Sequence, residues 1–204
     1  MMTIELHGTS HQRYGHQPLL LQDPQQVWVV ESGSIAIFVV TTDRTNAEQP
    51  IGPRQYLCTL ASQSAMFGAV DPAYQLLAVP LGTARILELD PQCWQELCHQ
   101  HDPRILTWLH EWFDRLAPIL ASQPFPTDSL QANATAHYSL IDRQTLQTTE
   151  VCWLEMQAGT ACLQGIDELS IANEALILPA QIWLASVGEV QIATQPLEEI
   201  SPTA

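Results

Sequence analysis

The sequence predicts a mostly β fold, with two jelly-roll-like β units and a helical segment between them. Short apolar and β-branched runs recur before residue 90 and again after residue 150, and glycine or proline separates them. Between these regions, residues 91–121 carry apolar side chains at helical spacing. Many short strands with regular turn signals are typical of sandwiches and barrels.

In the first unit, the apolar runs 27–30 and 35–40 flank a short segment that contains Gly33, and this pattern predicts a β-hairpin. Further strands are predicted at 19–21, 55–60, 74–79 and 83–89. The rest of residues 1–26 is predicted to be an irregular lead-in. The polar stretch 41–53 is predicted to be a loop, and Asp71-Pro72 a turn.

Two Asp-Pro pairs predict helix starts. Asp is a good N-cap and Pro is favoured at the first helical position, so one helix is expected to begin at Asp90-Pro91 and a second at Asp102-Pro103. In the second helix an apolar stripe recurs at three- and four-residue spacing. Its members are Ile105, Leu106, Leu109, Trp112, Phe113 and Leu116.

The second unit is predicted to be smaller. Residues 1–122 form the first domain, with helices at about 91–121; residues 123–136 form a linker; and residues 137–204 form the second β unit. Its strands are expected at 151–155, 160–163, 169–171, 175–178, 182–185 and 189–194. The spacing from Trp28 to Gly33 recurs from Trp183 to Gly188, with apolar residues two and four positions later, which predicts one hairpin used twice.

Charge excludes several function classes. The formal net charge is −15, and all seven basic residues are arginine. Such a chain is expected to repel nucleic acid and anionic membranes. Without lysine it can carry neither a phosphate-binding loop nor a Schiff-base site. With no signal peptide and no apolar run long enough to insert into a membrane, the chain is expected to be cytoplasmic.

Catalytic and metal-binding patterns are not evident. The one HxH pair, His99 and His101, falls at a predicted helix end rather than on a strand, where a metal-binding jelly roll of the cupin type places it. His7, His11 and His16 lie in the predicted irregular lead-in, without a partner acid at metal-ligand spacing. The five cysteines form no CxxC pair, and GxSxG is absent. The expectation is a protein that is not an enzyme and that uses no cofactor or metal.

Residues 27–120 resemble the cyclic-nucleotide-binding jelly roll. The resemblance rests on residues 28–40 around Gly33, on Met66-Phe67-Gly68, on Thr83-Ala84-Arg85-Ile86 and on the helical segment that follows. Members of that fold hold the cyclic phosphate with a helix that begins with Glu after Phe-Gly and with an Arg before Thr-Ala. Here Ala69 follows Phe67-Gly68, and Gly82 stands at the Arg position.

The resemblance therefore implies a pocket that has lost its anion-binding side chains, and no cyclic-nucleotide binding. The ligand-binding residues of this degenerate pocket are predicted to be Phe67, Gly68, Gly82 and Arg85. Alternation along the strand is expected to turn Arg85 towards a different face.

The chain also resembles the N-terminal cytoplasmic region of ABC transporters that export peptides of the nitrile-hydratase-leader (NHLM-type) bacteriocin class. The motifs that carry this resemblance are residues 27–30 (VWVV), Gly33, 52–57 (GPRQYL), 66–68 (MFG), 178–179 (LP) and 183–184 (WL). In that family a membrane domain and a nucleotide-hydrolysing domain follow, and both are missing from this sequence.

Three functions are then open. The resemblance implies a regulatory module that docks on an ABC transporter or on its leader-peptide cargo, at the membrane periphery. A sensor for another small molecule, using the pocket near Phe67, Gly68 and Arg85, is the second. A cupin-like metalloenzyme is the third, and stoichiometric metal in the purified protein would identify it. The oligomeric state cannot be read from the sequence.

Overall fold

A computed structural model of the chain describes residues 5–43, 46–50, 53–69, 74–120, 124, 126–133, 135–164, 167–170, 175–180 and 182–196. The chain forms two compact units, Met1–Trp112 and Phe113–Ala204. Strands dominate both units, and along the sequence two consecutive helices follow the last strand of the first unit. The predicted mostly β fold with a helical segment is confirmed.

Two antiparallel sheets make up the first unit. The first sheet has the order β1-β9-β3-β7 and the second has the order β2-β8-β4-β5, with β6 also paired to β4. Their strands are β1 Gly8–Tyr14, β2 Leu19–Leu20, β3 Val27–Ser32, β4 Ile35–Asp43, β5 Asn46–Pro50, β6 Gln55–Leu60, β7 Ala65–Phe67, β8 Tyr74–Pro80 and β9 Thr83–Leu89.

Both faces of the first sheet are covered. All four residues of β3 from Val27 to Val30 are buried, as expected for a strand with packing on both sides. On one face, Val27 and Val29 join a core cluster with Leu87, Leu97 and Trp108, so this face packs on the helices. On the other face, Val30 and Ile86 are also buried, and so are Ile35, Ile37, Leu60 and Leu77 of the second sheet.

The hairpin predicted at Gly33 is wrong. β3 pairs with β7 and β9, whereas β4 pairs with β5, β6 and β8, so the two apolar runs belong to different sheets. Gly33 has φ of +87°, a left-handed conformation that favours glycine, and it turns the chain from one sheet into the other. A hairpin and such a corner both need a glycine turn between apolar runs, which is why the pattern did not separate them.

The N-terminal segment is not an irregular lead-in. β1 pairs antiparallel with β9 over its whole length, from Gly8 opposite Leu89 to Tyr14 opposite Thr83. His11, which was predicted to lie in the irregular lead-in, lies on β1 with its Nε2 3.0 Å from Glu88 Oε2. Likewise the stretch 41–53 is not simply a loop, because β4 continues to Asp43 and pairs with β5. The turn predicted at Asp71-Pro72 lies outside the described residues.

Both helix starts are confirmed. Helix α1 spans Pro91–His99, and the Asp90 side chain caps it by accepting a 2.9 Å hydrogen bond from the Gln92 backbone N–H. Helix α2 spans Pro103–Leu120, and Asp102 Oδ1 accepts from the Arg104 backbone N–H at 3.0 Å. Trp108, which the predicted apolar stripe omitted, is buried with 4% of its surface exposed. Neither helix is long and apolar enough, over its described residues, to span a membrane.

One seven-stranded sheet forms the second unit. Its order is β10-β12-β16-β13-β14, with β11 paired to β16 and β15 paired to β13. The strands are β10 Leu130–Ala132, β11 Ala136–Leu140, β12 Thr145–Thr148, β13 Cys152–Leu163, β14 Asp167–Ser170, β15 Ala175–Leu178 and β16 Trp183–Pro196. β10 lies within the stretch predicted as a linker and pairs in parallel with β12.

Bulges replace several predicted strand breaks in this unit. The runs 151–155 and 160–163 are one strand, β13, whose register against β16 shifts near Gly159, where φ is +91°. The supposed second hairpin at Gly188 is also one strand, β16. Its first part pairs with β12 and its later part with β11, so Gly188, with φ of +77°, bends a continuous strand. The spacing shared by Trp28–Gly33 and Trp183–Gly188 therefore marks a glycine with positive φ in both units, and neither glycine forms a hairpin.

Candidate functional site

The four residues predicted to form the degenerate pocket lie in two separate places. Phe67 on β7 stands opposite Val27, and Arg85 on β9 stands opposite Ser32. These positions are five residues apart along β3, which corresponds to about 16 Å. Gly68 follows Phe67 directly, and Gly82 forms the turn that precedes Arg85. The structure therefore places Phe67 next to Gly68 and Gly82 near Arg85, but it keeps these two pairs apart.

Phe67 and Gly68 have packing roles. The Phe67 ring makes edge contacts with Trp94 and Trp112, at centroid distances of 6.0 and 5.9 Å, and so ties β7 to both helices. At Gly68 a Cβ atom would lie 1.9 Å from the backbone oxygen of Asp23, so only glycine allows this approach.

Arg85 pairs with side chains of its own sheet. Its Nε lies 3.5 Å from Glu31 Oε2, and its Nη2 donates to Ser10 Oγ at 3.3 Å. The side chain is 59% exposed, so the ion pair is worth little in water. Gly82 has φ of +87°, and a Cβ built there would meet no atom within 4 Å.

A cleft of about 650 Å³ lies elsewhere in the first unit, and none of the four residues lines it. Its wall on α2 consists of Arg104, Thr107, Trp108 and Glu111, at the i, i+3, i+4, i+7 spacing that places side chains on one helix face. The remaining walls come from the end of β3, from the turn between β6 and β7 and from two leucines. In that order, the residues are Val29, Val30 and Glu31; Ala61, Ser62, Gln63 and Ser64; and Leu6 and Leu87.

The turn at residues 61–64 is fastened on both sides. Gln63 N donates to Val30 O at 2.7 Å, and Val30 N donates to Ser64 O at 2.9 Å, which joins the turn to β3. From α2, the Trp108 indole N–H donates to Gln63 O at 2.8 Å. Gln63 itself has φ of +76°, a conformation that costs a non-glycine residue about 1–2 kcal/mol.

The charged groups of the cleft have defined partners. Arg104 donates through Nε and Nη2 to the two carboxylate oxygens of Asp102, each at 2.8 Å. The hydrogen bond from Arg104 lowers the pKa of Asp102 below its usual value, against the opposing effect of burial, and the same bond raises the pKa of Arg104. Glu111 Oε1 accepts from the buried Ser64 hydroxyl at 2.9 Å.

Sequence reasoning missed this cleft. Trp108 could have been found, because it fits the helical stripe, being three residues after Ile105 and four before Trp112. Gln63, Ser64 and Glu111 carry no local signal, since polar residues in a turn and on a helix are ordinary surface features.

The second unit has a smaller cavity of about 490 Å³ beside the turn at residues 141–144. Arg143 and Asp142 on this turn are exposed, with Nε and Oδ2 3.8 Å apart. Within the described part of either unit, no three His, Cys, Asp or Glu side chains come close enough together to hold a metal ion. The five cysteines are free thiols.

No protein-family model and no curated protein matches the sequence. Among solved structures, the chain is similar to a mutant of CooA from Carboxydothermus hydrogenoformans, at 14% identity, 58% coverage of this chain, 74% of that chain and a TM-score of 0.40. It is also similar to OCPA-complexed CprK, at 8% identity, 66% coverage of this chain, 68% of that chain and a TM-score of 0.43. A third similar structure is the cAMP-bound regulatory domain of Toxoplasma gondii PKA, at 11% identity, 92% coverage of this chain, 77% of that chain and a TM-score of 0.32.

At these identities and TM-scores no ligand or function carries over to this chain. Its β sandwich is defined by its own strand pairings.

Proposed function

We propose that this chain is a non-catalytic docking module of a peptide-export system, whose partner is an ABC transporter or the leader peptide of the transporter's cargo. The observation that carries the proposal is the cleft of the first unit. Its floor is apolar, and its polar groups are held by hydrogen bonds to neighbouring side chains and backbone. Groups fixed in this way are pre-organised for binding, since little ordering is needed when a partner arrives.

The motifs shared with the transporter family support a common fold and touch the cleft. In the VWVV motif, Val27 and Val29 pack in the core cluster of the helices, and Val29 and Val30 line the cleft. Met66 and Trp183, from other motifs, are buried. The net charge of −15 favours a basic partner.

Binding of the purified full chain to two immobilised partners tests this function: a synthetic leader peptide of the nitrile-hydratase-leader class, and a peptide-export transporter in lipid nanodiscs. We expect saturable binding to at least one, weakened as salt rises because charge attraction contributes. A scrambled leader peptide of equal length and charge is the control. No binding of either partner at low salt, or equal binding of the scrambled peptide, would refute the docking role.

The second candidate is a small-molecule sensor. The cleft volume of about 650 Å³ is typical of ligand pockets and favours this alternative. Thermal-shift screening against metabolite panels tests it, since a ligand at a hundred times its Kd adds about 2.7 kcal/mol to stability. A flat response across the panels would exclude it for the compounds tested.

A further inference from the structure

We infer that the second unit binds one ordered water molecule at the indole N–H of Trp183, and that the side-chain amide of Gln147 is the second group that holds it. This site is separate from the cleft of the first unit, and it does not depend on the proposed docking function.

The Trp183 indole is a buried donor that the chain itself does not satisfy. Trp183 begins β16 and has 8% of its surface exposed. Its Nε1 atom is buried, and none of the described residues supplies it with an acceptor. The buried indole of Trp108 shows the usual arrangement, since it donates to Gln63 O at 2.8 Å. An N–H that loses its hydrogen bond to water on folding and gains no other destabilises the fold, so an acceptor from outside the chain is expected at Trp183.

Gln147 and Trp183 lie on the same face of the sheet. They stand directly opposite each other at the end of the antiparallel pairing between β12 and β16. The neighbouring pair is Leu146 with Leu184, and both leucines are buried in the core cluster of this unit. Because side chains alternate along a strand, Trp183 and Gln147 project from the face opposite these leucines, with their Cβ atoms about 5 Å apart.

Polar groups flank Trp183 on both neighbouring strands. On the β12 side, Gln147 Oε1 accepts from Gln131 Nε2 at 3.4 Å, and the Gln147 Nε2 carries two donors of its own. On the β13 side, Gln164 has 5% of its surface exposed, and its backbone N–H donates to Trp183 O at 2.9 Å. Buried sites with such polar surroundings hold water, whereas apolar ones stay empty.

The burial of Nε1 selects water rather than a larger ligand. A metabolite or a peptide could reach this atom only by displacing the side chains that cover it, whereas a single water fits beneath the surface. The water oxygen has two lone pairs, so it can accept from the Trp183 indole and from the Gln147 amide at the same time. The water would therefore bridge β12 and β16 at the end of their pairing.

The test is NMR spectroscopy of the full chain with isotope-labelled tryptophan, in which the Trp183 indole signal is assigned from its loss in Trp183→Phe. We expect the indole proton of Trp183 to show cross-peaks to water of opposite sign in NOESY and ROESY spectra. Opposite signs identify dipolar contact with a bound water, whereas proton exchange with the solvent gives the same sign in both.

Gln147→Leu should abolish these cross-peaks, because it removes the second group that holds the water and leaves the indole N–H in place. Gln131→Leu is the matched control, since it makes the same change one strand further from Trp183, and it should retain them. The unfolding equilibrium constant should rise about tenfold more in Gln147→Leu than in Gln131→Leu, because the indole donor then has no acceptor.

A wild-type spectrum without a water cross-peak at Trp183 would overturn the inference. Cross-peaks of equal sign would overturn it as well, because the N–H would then be open to solvent. Cross-peaks that survive Gln147→Leu would show that a nearby hydroxyl proton relays the signal and that Gln147 holds no water. The wild-type spectrum decides whether the water is bound even if a variant does not fold.

Discussion

Gly33 and Thr83 approach so closely that a Cβ atom on Gly33 would lie 2.6 Å from the Thr83 carbonyl oxygen. Gly33 also has φ of +87°. The corner that carries the chain from the first sheet to the second therefore requires glycine on two grounds, conformation and space.

Replacing Gly33 by alanine should destabilise the first unit by more than ~2 kcal/mol. The left-handed conformation costs alanine about 1–2 kcal/mol, and the clash is with backbone, which cannot move aside without disturbing the β9 pairing. Urea unfolding followed by circular dichroism measures the loss.

Gly82 provides the matched control. It has the same φ of +87°, but a Cβ there would meet no atom within 4 Å. Gly82→Ala should therefore lose only the conformational part, about 1–2 kcal/mol. Equal losses in the two variants would show that the contact with Thr83 contributes nothing.

Local features of the fold could be predicted from the sequence, and long-range pairings could not. Both helix caps followed from an Asp-Pro pair, because capping depends on neighbours in the chain. The partners of β3 and β4 did not follow, since a glycine between two apolar runs suits either a hairpin or a corner. β1 was missed because its residues are largely polar and exposed, which hides the alternation of an edge strand.

The cleft was missed for a related reason. Trp108 and Gln63 are joined by a hydrogen bond across 45 residues of sequence, and Ser64 and Glu111 by one across 47. Nothing local in the chain indicates such pairs. The predicted site residues lie in two separate motifs, residues 66–68 and 83–86, and neither motif indicates how far the fold separates Phe67 from Arg85.

Asp102 should stabilise the fold both as a helix cap and as the partner of Arg104. Asp102→Asn keeps a capping side chain but removes the charged pair, and should lose about 2 kcal/mol at pH 7. Asp90→Asn, which alters the cap of α1 at an exposed position, should change stability by less than ~0.5 kcal/mol. If Asp90→Asn lost as much stability as Asp102→Asn, the ion pair between Asp102 and Arg104 would not be the source of the loss.

The contribution of Asp102 should also depend on pH. Because its folded pKa is lowered, the stabilisation is fully present above the unfolded pKa of about 3.9 and is lost as pH falls through the folded value. The stability difference between wild type and Asp102→Asn should thus stay constant from pH 7 to pH 5 and shrink below about pH 4. A difference that is unchanged at pH 3 would exclude a lowered pKa.

Trp108→Phe should show how strongly α2 is fastened to the turn at residues 61–64. The variant retains an aromatic ring in the core but leaves Gln63 O without the indole donor, and should lose about 1–3 kcal/mol. Thr107→Ala, at the neighbouring exposed position, should lose less than ~0.5 kcal/mol. Hydrogen exchange of the Ser62 and Ser64 amides should quicken only in Trp108→Phe; unchanged exchange would mean that the turn is held by β3 alone.

The cysteines should react with iodoacetamide in an order set by burial. Cys162 is part-exposed, Cys98 is part-exposed with a pKa raised by burial, and Cys152 is buried. Burial, followed by the nearby negative charge of Glu150, raises the pKa of Cys152 to about 11, although a hydrogen bond with Thr148 opposes the shift. Since the thiolate is the reactive form, Cys162 should be labelled first at pH 8, then Cys98, and Cys152 only on unfolding.

Peptide mass spectrometry of samples quenched over time measures the order, and samples in 8 M urea, where all the thiols should react at similar rates, are the control. Labelling of Cys152 as fast as Cys162 in the native protein would show that β13 opens readily, contrary to its pairing with both β15 and β16.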